Sequence, residues 1–328
     1  MRKILTVSVA AYNVEKFLGF TLESCIEKEI LEDMEILVID DGSEDGTADI
    51  ARKYVNFYPG SFKFIKKENG GYGSTVNCGI QYAHGKYFKL LDGDDWFVTK
   101  NLTAFISHLK KTEADMVITP YLECWENSKE TILQMPGEID ENKVYFMDKM
   151  KKWPKIAMHN LTVKTEIFQK NHILLTEKCY YTDMEYYMYP FKYAKTCVFF
   201  DIPLYCYRLG RRGQSMSEDG LKKHVDDHIK VLEEVVKFYY RNGAESYGNK
   251  DIFIKERIYT LVRACLNVVW KLDSAQNAKR KMKKIDMVLK KKYPFPIPYM
   301  GKEVWLIRKT GYLLFPIFWV FFHNKKAV

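Results

Sequence analysis

The chain has 328 residues, of which 47% are hydrophobic and 28% charged, and it carries a formal net charge of +9. That is apolar material for two domains or for one large domain with an appendage, and it excludes a disordered or fibrous chain. The charge is uneven: from Trp270 onward 14 Lys and Arg stand against 3 Asp and Glu, a net of +11, while the preceding part holds 37 against 39. A basic tail on a near-neutral body points to a polyanionic surface as partner, not to a generally basic fold.

In chain order, "ILTVSVAAYN" reads as a buried strand and "VEKFLGFTLESCIE" has apolar residues at helical spacing. "MEILVID" is a second apolar strand. After the turn "DGSEDG", a helix begins at "TADIARKYVNFY", with Thr47 as its expected N-cap. "SFKFIKK" is a third strand, and "STVNCGIQYAHG" is helical and expected to stop at Gly85. "KYFKLLDGDDW" is a fourth strand running into an acidic turn. Strands this apolar, alternating with helices, imply a parallel sheet covered on both faces.

Ligands of such sheets bind beyond the carboxyl ends of the strands. Tyr12-Asn13, Asp40-Asp41, Asn69-Gly70 and Asp92 to Asp95 are therefore expected to converge on one crevice. Beyond residue 125 the pattern is mixed and rich in Tyr and Phe to about 215, then mostly helical from 218 to 292. The seven cysteines are scattered without a CxxC pair, which reads as reduced thiols in a cytoplasmic protein. The opening "MRKILTVSVAAYNVEKF" is interrupted too early by Tyr12, Asn13 and Glu15 for a signal peptide. No apolar run reaches the ~18 residues of a membrane span.

Three aspartates in "LLDGDDW", at 92, 94 and 95, repel one another unless they hold something positive. Hard cations such as Mg²⁺ and Mn²⁺ take oxygen ligands, commonly carboxylates together with substrate phosphates. In "VIDDGSEDGT" a carboxylate at the strand end can accept hydrogen bonds from a base N–H or from ribose hydroxyls. "KENGGYGSTVNCG" is glycine-rich but is neither GxGxxG nor a Walker loop, and by spacing alone it is a flexible loop.

Together, "VSVAAYNVEKFL", "ILVIDDGSEDGT" and "ENGGYGSTVNCGIQYAHGKYFKLLDGDD" resemble, in order, spacing and strand context, the inverting family 2 glycosyltransferases of GT-A fold. The resemblance covers residues 4–125 well and 126–215 loosely. It implies an α/β fold with a mostly parallel, Rossmann-like sheet and helices on both faces. It also implies transfer of a sugar from a UDP-sugar, with Mn²⁺ or Mg²⁺, to a lipid-linked or polymeric glycan acceptor of cell-surface polysaccharide synthesis.

Residue by residue, the resemblance puts Tyr12 near the nucleotide base, with Ala10 in the same donor-binding loop, and Asp41 on the uracil. Asn69, Gly70 and Gly73 line the nucleotide-sugar pocket, with Asn77 on the following helix. Asp92 faces the ribose or sugar beside Gly93, Asp94 is the principal metal ligand, and Asp95 supports it. The family's Ala-Arg-Asn is here Thr75, Val76 and Asn77, so its arginine contact to the donor is missing. The general base, the aspartate of a Glu-Asp pair at a helix start, falls on Asp183 in "YYTDMEYYMYPF", with Thr182 in place of Glu and Glu185 as competitor. "YCYRLGRRGQSMS" resembles the segment that closes over the diphosphate, with Arg208, Arg211, Arg212, Gln214 and Ser215 as donors. His159, in "AMHNLTVKTEIF", stands where the acceptor side is built.

In the tail, "GYLLFPIFWVFF" is too short to span a bilayer, and its aromatic bulk beside Lys and Arg is the composition of an interfacial anchor. "KRKMKKIDMVLKKK" adds attraction to anionic lipid. The expected organisation is a catalytic domain at 1–217, a helical extension at 218–292 and a membrane-associating tail at 293–328, peripheral on the inner face of the cell membrane. A homo-oligomer is compatible with this pattern; nucleic acid is not, because the aromatics lie apart from the basic run. The alternatives are a non-catalytic, membrane-associated scaffold that binds nucleotide-sugar, and a nucleotide-dependent oxidoreductase, which lacks its GxGxxG.

Overall fold

The structure is a computed structural model that describes residues 3–211, 214–241, 248–292 and 301–323. The chain packs as two compact units, residues 1–211 and 212–328.

In the first unit, β1 (Leu5–Ala11), β2 (Met34–Asp40), β3 (Phe62–Lys66) and β4 (Tyr87–Asp92) pair in parallel. Between them run α1 (Glu15–Glu23), α2 (Thr47–Phe57) and α3 (Tyr72–Tyr82). Leu5, Val7 and Val9 of β1 and Ile36 to Ile39 of β2 are fully buried. Each aliphatic side chain so buried contributes roughly 1.5–3 kcal/mol, which sets the register of these central strands.

The short β5 (Trp96–Phe97) and α4 (Leu102–Lys111) follow, then β6 (Met116–Ile118), β7 (Tyr121–Trp125), β8 (Thr131–Gln134), β9 (Val144–Phe146) and β10 (Leu161–Lys164). Next come α5 (Thr165–Lys170), α6 (Asp183–Tyr193), β11 (Thr196–Phe199) and β12 (Tyr205–Leu209). The main sheet has the order β3-β2-β1-β4-β10-β6-β11-β9, with β10 antiparallel to both neighbours; a second sheet has the order β5-β12-β7-β8. The mostly parallel α/β sheet is the expected one, and its antiparallel strands come from the part of the sequence without clear alternation.

Two local expectations are corrected. Thr47 is the first residue of α2, not its cap, and its hydroxyl accepts the Val14 N–H at 2.9 Å. The α3 helix ends at Tyr82 with extended backbone at Ala83, so Gly85 is not a left-handed cap. Gly85 is needed for close approach: a Cβ there would lie 2.4 Å from the Thr6 nitrogen, and its own N–H donates to Thr6 Oγ1 at 2.8 Å.

The second unit is helical: α7 (Glu218–Lys223), α8 (Val225–Arg241), α9 (Lys250–Lys271), α10 (Ala275–Met287), α11 (Lys302–Lys309) and α12 (Phe315–His323). Asp286 of α10, almost fully buried, accepts from Arg308 of α11 at 2.6 Å and from the Tyr312 hydroxyl at 2.5 Å. One face of α12 packs inward, where Phe315 and Phe322 stack on Trp270 at 5.4 and 5.0 Å. The other face does not: Ile317, Val320 and Phe321 are exposed, as is Leu313 (78%) in the turn before the helix. Among the described residues no helix is long and apolar enough to cross a membrane. The segment "YPFPIPYM" at 293–300 lies outside the described residues.

Candidate active site

The strand-end loops meet as expected. The Asp41 amide donates to Ala11 O and the Gly93 amide to Ala10 O, both at 2.9 Å, which ties the first, second and fourth loops together. A Cβ on Gly93 would lie 2.8 Å from that Ala10 oxygen, so only glycine permits the approach. The glycine-rich loop joins through Asp41, which is buried. Its carboxylate accepts from the amides of Gly70 and Gly71 at 2.9 and 2.8 Å and from Lys67 Nζ at 2.7 Å. Asp41 thus closes the loop that the resemblance assigns to the nucleotide, and Lys67 is a member of the site that sequence reasoning missed.

Tyr12 and Asn69 are exposed at the mouth. Gly73 packs on the backbone of the 175–177 segment, where a Cβ would meet Thr176 O at 2.1 Å. Asn77 clips the same segment: its amide accepts from Leu175 N at 2.8 Å and donates to Leu175 O at 2.9 Å. Both residues therefore have a structural task in joining the glycine-rich helix to the segment that leads into α6.

At the acidic turn the three aspartates differ. Asp95 is buried and engaged on both oxygens, by the Tyr205 hydroxyl at 2.6 Å and the Arg208 amide at 2.7 Å. Asp94 is paired with Arg211 at 2.5 Å, while Arg208 Nε donates to the Asp94 carbonyl at 2.7 Å. Asp92 has a buried Oδ1 with no hydrogen-bond partner. Burial, reinforced by the charge of Asp94, pushes its carboxyl up to about 7. Burial raises Asp95 as well, helped by Asp92.

The structure adds His159 to this cluster. One ligand atom each from Asp92, Asp95 and His159 lie within 4.8 Å of one another. His159 is stacked against Tyr207 at 4.1 Å and Tyr121 at 5.2 Å, its Nδ1 is unpartnered, and burial drives its pKa down to about 3, so the ring is neutral. The orphaned carboxylate oxygen is a donor that Mn²⁺ or Mg²⁺ can use, whereas the neutral imidazole beside it is a donor better suited to a transition metal than to Mg²⁺. Beneath it, Lys89 on β4 is 0% exposed and donates to the carbonyls of His159 and Leu161 at 3.0 and 3.3 Å. Burial pulls its pKa down to about 7. This lysine interrupts the apolar pattern of "KYFKLLDGDD" and was the visible signal that something polar lay under the turn.

Asp183 begins α6 and accepts from its own N–H and that of Met184. Asp183 is solvent-exposed, and desolvation by the protein around it raises its pKa. Its charge acts on Asp92, Tyr72 and Tyr207, which places it over the same crevice. Glu185, the competitor, is fully buried, and its oxygens accept from the Thr176 amide at 2.6 Å and hydroxyl at 2.7 Å. It holds the 176 loop and does not face an acceptor. Arg212 lies outside the described residues, and Gln214 and Ser215 open the second unit.

This geometry agrees with what the chain is similar to. It is 24% identical over 301 residues to the uncharacterized glycosyltransferase EpsJ of Bacillus subtilis, spanning 88% of this chain and 86% of that one. The fold is shared with S. aureus TarS 1–349, solved in complex with UDP-GlcNAc, at TM-score 0.52 and 17% identity over 88% of this chain and 90% of that one. It is shared too with the mannosyltransferase PcManGT of Pyrobaculum calidifontis, solved with GDP-Man and Mn²⁺, at TM-score 0.51 and 11% identity over 99% and 89%. The model of the family described as "Glycosyl transferase family 2" matches residues 6–170, half of the chain, and the protein is a glycosyltransferase belonging to that family.

Proposed function

We propose that the chain transfers a sugar from a UDP-sugar to a hydroxyl of a lipid-linked or polymeric glycan, with inversion at the anomeric carbon. The observation that carries this reading is a carboxylate, Asp183, at a helix start and close enough to Asp92 for its charge to act there; in this reading the Asp41 loop receives the nucleotide. Asp183 accepts the proton of the acceptor hydroxyl, the acceptor oxygen attacks the anomeric carbon, and the bond to UDP breaks in the same step. Arg208 and Arg211 lie beside Asp94, where their guanidinium groups can turn to the diphosphate oxygens. Asp92 and Asp94, with Asp95 behind them and His159 beside them, would hold Mn²⁺ or Mg²⁺, which neutralises charge on the departing diphosphate. TarS with UDP-GlcNAc supports a UDP donor and PcManGT with Mn²⁺ supports the metal.

The test is a panel of nucleotide-sugars with Mn²⁺, scored for nucleotide release with and without a lipid-linked acceptor. Release of UDP from one or a few UDP-sugars, stimulated by acceptor, is expected. Release from none of them sinks the reading.

In this reading residues 1–217 form the catalytic domain, 218–292 a helical extension, and 293–328 a tail lying on the inner face of the cell membrane. The exposed row Leu313, Ile317, Val320 and Phe321, with Lys309 over the ring of Trp305 at 4.6 Å, supports an interfacial helix. The double variant Leu313→Asp, Ile317→Asp should lose cosedimentation with phosphatidylglycerol vesicles while remaining folded. Unchanged sedimentation would remove the tail from the membrane.

A further inference from the structure

The first unit contains a second concavity, away from the nucleotide loops. It has a volume of about 510 Å³ and is built on β9, the strand at the opposite edge of the main sheet from β3. Its lining is rich in rings: Tyr145 and Phe146 of β9, Trp153, Pro136 and Pro154. Its charged lining is Lys149, Lys151 and Lys152 against a single carboxylate, Glu138. All three lysines are exposed, and Phe146 is 58% exposed beneath Lys149, whose ammonium lies 5.5 Å from the ring.

Two links lead from this cleft toward the crevice. Trp153 packs on Phe191 with ring centroids 5.1 Å apart. Phe191 lies eight residues beyond Asp183 on α6, a helical rise of about 12 Å. From Pro154 the chain runs directly to His159 in the acidic cluster. Phe146 pairs with Thr196, the first residue of β11, so the cleft lies in the same half of the sheet as α6 but toward the opposite end from the crevice, several sugar units from Asp183.

We propose that this cleft is a binding subsite for an anionic glycan chain, holding the acceptor several sugar units from the hydroxyl that reacts. The proposal rests on the transferase reading above. Aromatic and proline faces match the C–H faces of sugar rings, and a row of lysines matches carboxylate or phosphate groups repeated along a polymer. A membrane fits less well, because the rings line a concave wall while a bilayer needs protruding apolar groups.

The test measures equilibrium binding of oligogalacturonate, of a glycerol phosphate oligomer and of neutral dextran to the full chain, without donor. At least one of the two anionic probes should bind, weaken as salt rises, and bind roughly tenfold less to Lys151→Glu, Lys152→Glu. Which one binds identifies the anion. Phe146→Ala, at an exposed position that leaves the fold intact, should weaken the same probe, and dextran should not bind. Equal binding of dextran overturns the proposal, as does an unchanged affinity in a lysine variant that melts like the wild type. So does a lysine variant whose only defect is in binding phosphatidylglycerol vesicles. A protein that releases UDP but ignores both anionic probes loses the cleft alone, whereas one that binds them but turns over no donor loses the transferase reading alone.

Discussion

Asp183→Asn should reduce sugar transfer by roughly 10²- to 10⁴-fold, the usual contribution of a positioned general base, with UDP affinity changed by no more than a few-fold. The amide keeps the size of the side chain and an oxygen to accept the N–H groups of Asp183 and Met184, so α6 should start as before. What it loses is the capacity to take a proton. Burial holds the Asp183 pKa above the ordinary carboxylate range, which makes the carboxylate a stronger base. The sign follows: transfer is lost as pH falls through that raised pKa and the base becomes protonated. At saturating Mn²⁺, where the Asp92 proton no longer limits metal binding, this acid limb should vanish in the Asn variant. Glu185→Gln should behave differently. Its oxygens hold Thr176, so the change loosens the 176 loop and lowers the melting temperature without removing the acid limb. Transfer by Asp183→Asn near the wild-type rate, or an acid limb that survives in it at saturating Mn²⁺, would take the base role away.

Strands β1, β2 and β4 were legible because their burial is nearly uniform. A strand packed on both faces shows a continuous apolar run, and "MEILVID" coincides with the observed β2. From residue 116 onward the strands have three to five residues and join two sheets with antiparallel steps, and neither feature leaves a periodic trace. The two corrected positions share one cause. Thr47 and Gly85 both look like helix-end residues, but each is specified by a partner distant in sequence, Val14 and Thr6 respectively.

The site was legible as a set of loops and not as a set of contacts. The DGDD turn, the Asp41 turn and the start of α6 each announce themselves locally. What each aspartate of the DGDD turn does depends on residues more than a hundred positions away. Tyr205 and Arg208 take up Asp95, Arg211 takes up Asp94, and Asp92 is the one left with an unpartnered oxygen. His159 and Lys89 enter through β10 and β4, whose pairing brings residues 88 and 163 together across the sheet. Spacing along a chain carries none of this, because the partners are chosen by topology.

Asp92→Asn should stabilise the metal-free protein and abolish metal-dependent transfer. The Asp92 pKa is raised by burial and by Asp94, to about 7 from 3.8, so the folded state holds a proton that the unfolded state has already released. Stability is therefore lost as pH rises from about 4 towards 7 and is lowest above that. The Asn variant lacks this penalty: its gain in melting temperature should be largest at pH about 8, smaller at about 5 and absent near 3. Adding Mn²⁺ should reverse the order. A cation that binds only the folded wild type raises its melting temperature with concentration, whereas the variant, without the anionic oxygen, should respond little. Binding to the wild type should also strengthen as pH rises through about 7, because the proton on Asp92 must leave before the oxygen can act as a ligand. A cluster that weakens the fold when empty and strengthens it when filled is the signature of residues arranged for a ligand. If Asp92→Asn melts lower than the wild type at pH about 8, or gains as much from Mn²⁺, the crowding of acids at this turn has another cause.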